Sequence, residues 1–143
     1  MRTVGRCHCG NIRFELDWHA EPREILAREC GCSFCRKHGG VWTSAPGGSL
    51  AVTIAQPARA SVYAFGTRTA DFHVCADCGV VPLVTSRIDG RLYAVVNVNS
   101  FENVDPARLR RLPVAFDGES QPERLARRKL YWIGEVRFEP LPA

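Results

Sequence analysis

Between Asn11 and Leu16 apolar and polar residues alternate, with Ile12, Phe14 and Leu16 on one side and Arg13 and Glu15 on the other. A period of two marks a strand with one buried face, and this segment is expected to form one. Glu24 to Glu29 is a second strand candidate that runs directly into a group of cysteines. Ser49 to Ile54 and Ala60 to Phe65 read as a pair of strands separated by a turn at Gln56-Pro57. Val80 to Ser86 and Arg91 to Val98 are joined by Ile88-Asp89-Gly90, and Asp-Gly is a strong hairpin signal. Trp132 to Phe138 is expected as a last strand, with Trp132, Gly134, Val136 and Phe138 on one face. Helix is scarce. Asp105 is placed to cap a short turn begun by Pro106. Pro122 to Leu130 is the longer candidate, with Arg124, Arg127, Arg128 and Lys129 expected on a solvated face. Short strands in several groups predict a mainly β protein of small packed sheets.

At 143 residues the chain is expected to be a single domain over 1–143. Hydrophobic residues make up 45% and charged ones 24%, the balance of a soluble protein. No apolar stretch approaches the roughly 20 residues of a membrane span, and the N-terminus lacks the apolar core of a signal peptide. Cytoplasm is the expected location, because free thiols persist in a reducing compartment.

Seven cysteines fall into three groups: Cys7 and Cys9; Cys30, Cys32 and Cys35; Cys75 and Cys78. An odd number, with neighbours this close, argues against disulfides. Zinc fits better, since close thiolate pairs from separate segments are how structural sites are built. Groups of two, three and two give four ligands in one way without splitting a group. Cys7, Cys9, Cys75 and Cys78 then form a closed structural site, and the middle trio remains. Residues i and i+2 of a strand share a face, so Cys7 and Cys9 can reach one ion. Cys75 and Cys78 form a C-x-x-C-G knuckle in which Gly79 lets the backbone approach the sulfurs, as Gly10 does after Cys9.

Three protein ligands with an open fourth position is the arrangement of a catalytic zinc. For Cys30, Cys32 and Cys35 the alternatives are a second closed site, with His38 or His8 as fourth ligand, and a metal-free thiol cluster. A zinc ion already carrying three thiolates activates water poorly and suits an incoming thiol better. Arg36 and Lys37 follow the trio and could offset its charge or receive a substrate carboxylate, as could Arg68. The formal charge of +4 counts every cysteine as neutral. Seven thiolates on two zinc ions carry a net −3 and bring the total to about +1. That balance argues against nucleic acid as a partner.

With these motifs the chain resembles the glutathione-dependent formaldehyde-activating enzyme family, which includes the centromere protein V-like proteins. The matching features are G-x-C-x-C-G at Gly5 to Gly10, C-x-C-x-x-C-R-K-x-G at Cys30 to Gly39, and F-x-x-C-x-x-C-G at Phe72 to Gly79. The resemblance implies a β-tent fold, with small antiparallel sheets around a four-cysteine zinc site. It also implies structural zinc on Cys7, Cys9, Cys75 and Cys78 and a second, catalytic-type zinc on Cys30, Cys32 and Cys35. The implied activity is that of a carbon–sulfur lyase resembling S-(hydroxymethyl)glutathione synthase, adding glutathione or a similar small thiol to formaldehyde or another small aldehyde. Many members carry a histidine between the first two cysteines of the trio, where this chain has Gly31. The competing reading is a zinc-stabilised binding module for protein or nucleic acid, or a thiol carrier without catalysis.

Overall fold

The computed structural model describes residues 1–140, so the last three positions of the expected 1–143 domain lie outside it. The first strands are β1 (Arg2–Arg6), β2 (Ile12–Asp17) and β3 (Ile25–Cys30), followed by helix α1 (Ser33–His38), β4 (Val41–Thr43) and β5 (Ser49–Ile54). Next come β6 (Ala60–Tyr63), β7 (Asp71–Cys75), β8 (Leu83–Ile88), β9 (Arg91–Asn97) and β10 (Leu109–Val114). Helix α2 (Gln121–Tyr131) and β11 (Glu135–Glu139) complete the order.

The mainly β class expected from the sequence is what forms. A four-stranded sheet runs β1-β2-β5-β11, and a seven-stranded sheet runs β10-β3-β4-β9-β8-β7-β6. Ile12, Phe14 and Leu16 of β2 and Leu50 and Val52 of β5 pack with Ile25, Ala27, Leu83, Ala94 and Val96 of the larger sheet. The larger sheet is covered on its other face too. Val84 and Val95, each next in sequence to a residue of the first core, join Trp42, Phe72, Val81 and Cys35 in a second cluster. Continuous apolar runs such as Tyr93 to Val96 are the sequence form of a strand buried on both faces.

The β8–β9 hairpin turns through Asp89 and Gly90, with φ of 52° and 79°, the left-handed pair that a tight hairpin requires. The short turn at Asp105 forms, its carboxylate accepting from the Ala107 N–H at 2.9 Å. Gly5 lies opposite Phe14 in the β1–β2 ladder. A Cβ at that position would collide with the Phe14 ring, which is fully buried. Gly5→Ala is therefore expected to cost about 2 kcal/mol through overpacking, measurable by urea denaturation.

Three expectations are corrected. Ser49–Ile54 and Ala60–Tyr63 are strands, but β5 and β6 do not pair. A 3-10 turn at Pro57–Arg59 carries the chain from one sheet to the other, and Asn11 holds it through bonds to the Gln56 and Arg59 carbonyls. The final strand begins at Glu135, not Trp132, because α2 extends to Tyr131 and the Trp132 N–H closes it on the Arg128 carbonyl. The arginine face of α2 is not solvated throughout. Arg128 is 6% exposed, and its Nη1 donates to Thr69 O, Thr69 Oγ1 and Ser86 Oγ. The helix offers few apolar side chains, so arginine stems supply its packing against the sheet. Arg128→Ala is expected to lower stability by about 2–3 kcal/mol in chemical denaturation, since several charge-assisted bonds are lost together.

Candidate metal centres

The first centre is built by two turns. Cys7 and Cys9 lie in the β1–β2 turn, which Gly10 completes with φ 86° and an N–H bond to the Cys7 carbonyl. Cys75 ends β7, and Cys78 lies in the following turn, which Gly79 completes with φ 78° and a bond to the Cys75 carbonyl. The four sulfurs lie within 4.8 Å of one another, with Cys7–Cys9 at 3.8 Å and Cys9–Cys75 at 3.5 Å. Four sulfurs about 2.3 Å from a tetrahedral zinc are about 3.8 Å apart, so the donor set and its spacing fit that ion. The Ile12 N–H points at Cys7 Sγ from 3.3 Å. Burial opposes ionisation of Cys78, but backbone N–H donors and the thiols of Cys75 and Cys7 draw it down to about 6.

The second centre forms where a strand gives way to a helix. Cys30 ends β3, Cys32 caps α1 and Cys35 lies in its first turn. The Cys35 N–H donates to Cys32 Sγ at 3.4 Å, and Trp42 Nε1 donates to the buried Cys35 Sγ at 3.3 Å. Such N–H donors stabilise sulfur as thiolate and hold its orientation toward a metal. A hydrogen bond from Cys35 pulls the Cys30 thiol down to about 6 against the effect of burial, and the same bond pushes Cys35 up. The three sulfurs lie within 4.8 Å of one another, and no fourth ligand atom joins them among the described residues. His38 sits at the far end of α1 with its ring against Phe34, 4.4 Å between centroids, and its Nε2 is buried without a partner. Gly31 has room for a side chain, since a Cβ there would meet only the Val114 carbonyl oxygen at 3.5 Å.

The trio opens on a cavity of about 380 Å³ that the quartet does not line. Trp42, Phe65, Phe72, Phe116, Tyr131 and Trp132 contribute six aromatic rings to its walls. Arg28, Arg124, Arg127 and Arg128 line it as well. Arg36 and Lys37 are exposed on α1 and do not line it, and neither does the exposed Arg68. His73 bonds Thr85 Oγ1 at 2.7 Å and packs on Phe138. Three of the cavity arginines were hidden because α2 reads as a charged surface helix. The detectable signal was the spacing of Arg124, Arg127 and Arg128, which places three cations on one helical face.

A model of the family described as glutathione-dependent formaldehyde-activating enzyme matches residues 2–112. A structural-genomics crystal structure of a Rhodobacter sphaeroides protein is similar to this chain at 33% identity and a TM-score of 0.60. That similarity covers 79% of this chain and 99% of the other. Helix α2 lies beyond the segment matched by the family.

Proposed function

The chain belongs to the glutathione-dependent formaldehyde-activating enzyme family, and from that premise we propose that it joins a small thiol to a small aldehyde. Glutathione and formaldehyde, the compounds the family is named for, are the reference pair. The reaction is a carbon–sulfur lyase reaction run toward synthesis. The observation that carries this reading is the division of the cysteines. The quartet lies away from the cavity, whereas Cys30, Cys32 and Cys35 line it together with no fourth protein ligand among the described residues.

Zinc held by Cys30, Cys32 and Cys35 would supply a soft Lewis acid with one open position at which a thiol is kept ionised at neutral pH. The rest is the chain's own contribution. Trp42 and the first turn of α1 fix the trio's sulfurs through N–H donors. The aromatic rings of the wall offer the reactants an apolar surface beside the trio. Thiolate sulfur donates its electron pair to the carbonyl carbon, the C=O π pair moves to oxygen, and that oxygen takes up a proton to give a hemithioacetal. The proton lost from the thiol balances the one gained. Seven free cysteines suit a reducing compartment, and the cytoplasm is the proposed location. Among the described residues no helix is long and apolar enough to cross a membrane.

Cobalt substitution tests this reading. Two ions should bind per chain, and glutathione should change the d–d spectrum of one of them. S-methylglutathione, which keeps both carboxylates and cannot ionise at sulfur, should leave it unchanged. Affinity for the thiol should rise with pH until the thiol ionises in solution, because it binds as thiolate and releases a proton. Identical responses to the two compounds, or none to either, would sink the open-site reading.

A further inference from the structure

The cavity is far larger than formaldehyde requires, and its charge is unbalanced. Four guanidiniums line it, whereas the nearby carboxylates are Asp117, also in the wall, and Glu119. Glu119 is already engaged: Arg127 donates to it at 2.8 and 3.1 Å, and Arg124 lies 3.8 Å away. Arg128 has hydroxyl and carbonyl partners but no carboxylate, and its Nε is buried without a partner. Arg28, half-buried on β3, has no side-chain hydrogen bond or ion pair among the described residues. Four cations against two carboxylates leave a surplus of two positive charges, or one when three thiolates hold a divalent ion in the trio.

Buried cations without a counter-ion are costly, and a protein keeps them where a ligand supplies the missing charge. These are also held in place. Arg127 stacks on Phe116 with its guanidinium 3.6 Å from the ring centre, and Arg128 lies 5.0 Å from the centre of Trp132. Burial, with Arg127 and Arg124 nearby, lowers Arg128 to about 10. The same cavity carries the rings of Trp42, Phe65, Phe72, Phe116, Tyr131 and Trp132.

We infer that the cavity takes a monoanionic organic acid with an aromatic or otherwise apolar body, its carboxylate on Arg28 and its reacting end at Cys30, Cys32 and Cys35. The assignment of the reacting end rests on the proposed thiol–aldehyde chemistry. The recognition of the acid stands on the arginines and rings alone. Arg124, Arg127 and Arg128 come from α2, outside the segment the family model matches, whereas Arg28 lies on β3 inside it.

The test uses the full zinc-loaded chain and a probe with neither thiol nor aldehyde. 4-Phenylbutyrate and its neutral amide are titrated while tryptophan fluorescence is followed, because Trp42 and Trp132 line the cavity. The acid should bind at least tenfold more tightly than the amide, and its affinity should fall with added salt. Arg28→Gln should bring the acid's affinity down to that of the amide and leave the amide's unchanged, while Arg28→Lys keeps most of the preference. Equal binding of acid and amide by the wild-type chain would overturn the inference. So would an Arg28→Gln variant that folds, as judged by circular dichroism, and still prefers the acid. If Arg28→Gln does not fold, the wild-type acid-to-amide ratio and its salt dependence decide alone. None of these readings depends on the cobalt response to glutathione, so either result can fail without the other.

Discussion

Cys78→Ser is expected to leave the chain unfolded or losing structure well below the melting temperature of the wild type, while Cys32→Ser stays folded. The quartet draws its ligands from the β1–β2 turn and from the turn after β7, and so ties the four-stranded sheet to the seven-stranded one. Structural zinc binding in small domains is worth on the order of 10 kcal/mol, comparable to the whole stability of a domain this size. Losing one of four ligands removes much of that and leaves the remaining thiols without their ion. Cys32, by contrast, joins β3 to α1, which are already neighbours in the chain, so its metal closes no long loop. Thermal denaturation of both variants by circular dichroism, with metal content measured alongside, gives the answer. Equal losses would make the trio a second structural staple and remove the main support for the proposed chemistry.

Trp42→Phe should weaken metal binding at the trio by about 10–100-fold and leave the quartet's affinity unchanged. Phenylalanine keeps most of the ring packing but removes the N–H donor 3.3 Å from Cys35 Sγ. Cys35 is 3% exposed, and without the indole donor its thiolate becomes harder to form. Competition with a graded chelator, followed through the two cobalt spectra separately, resolves the sites. A variant that holds both ions as tightly as the wild type would show that the indole contributes packing alone.

What could be read from the sequence was local. Cys75 and Cys78, with Gly79 after them, announce their turn directly, whereas Cys7 and Cys9 read as strand positions i and i+2 and instead lie beyond the end of β1, in a turn that Gly10 closes with positive φ. The Asp89-Gly90 turn fixed its own hairpin for the same reason. Helix α1 was missed because six residues are too few to show a helical period, and the three cysteines read more naturally as a loop. The parallel pairings of β10 with β3 and of β11 with β5 join residues 84 and 86 positions apart in their first registered pairs, Leu109 with Ile25 and Glu135 with Ser49. No local pattern encodes such a choice.

Arg128 shows where the boundary lies. By spacing alone it belongs to a charged helical face, and that reading holds for its neighbour Lys129, which pairs with Asp89 at the surface. Its burial depends on Thr69 and Ser86, 59 and 42 residues away, which the seven-stranded sheet brings beneath α2. The sequence by itself determined the grouping of the cysteines into a quartet and a trio, the alternating core of β2 and the mainly β class, because each follows from the periodicity and spacing of nearby residues. Only the tertiary structure decided which cysteine set faces a cavity and which cations line it. Those properties arise when separate segments exclude water together, and the solvent exposure of a side chain is set by the partners that long-range packing supplies.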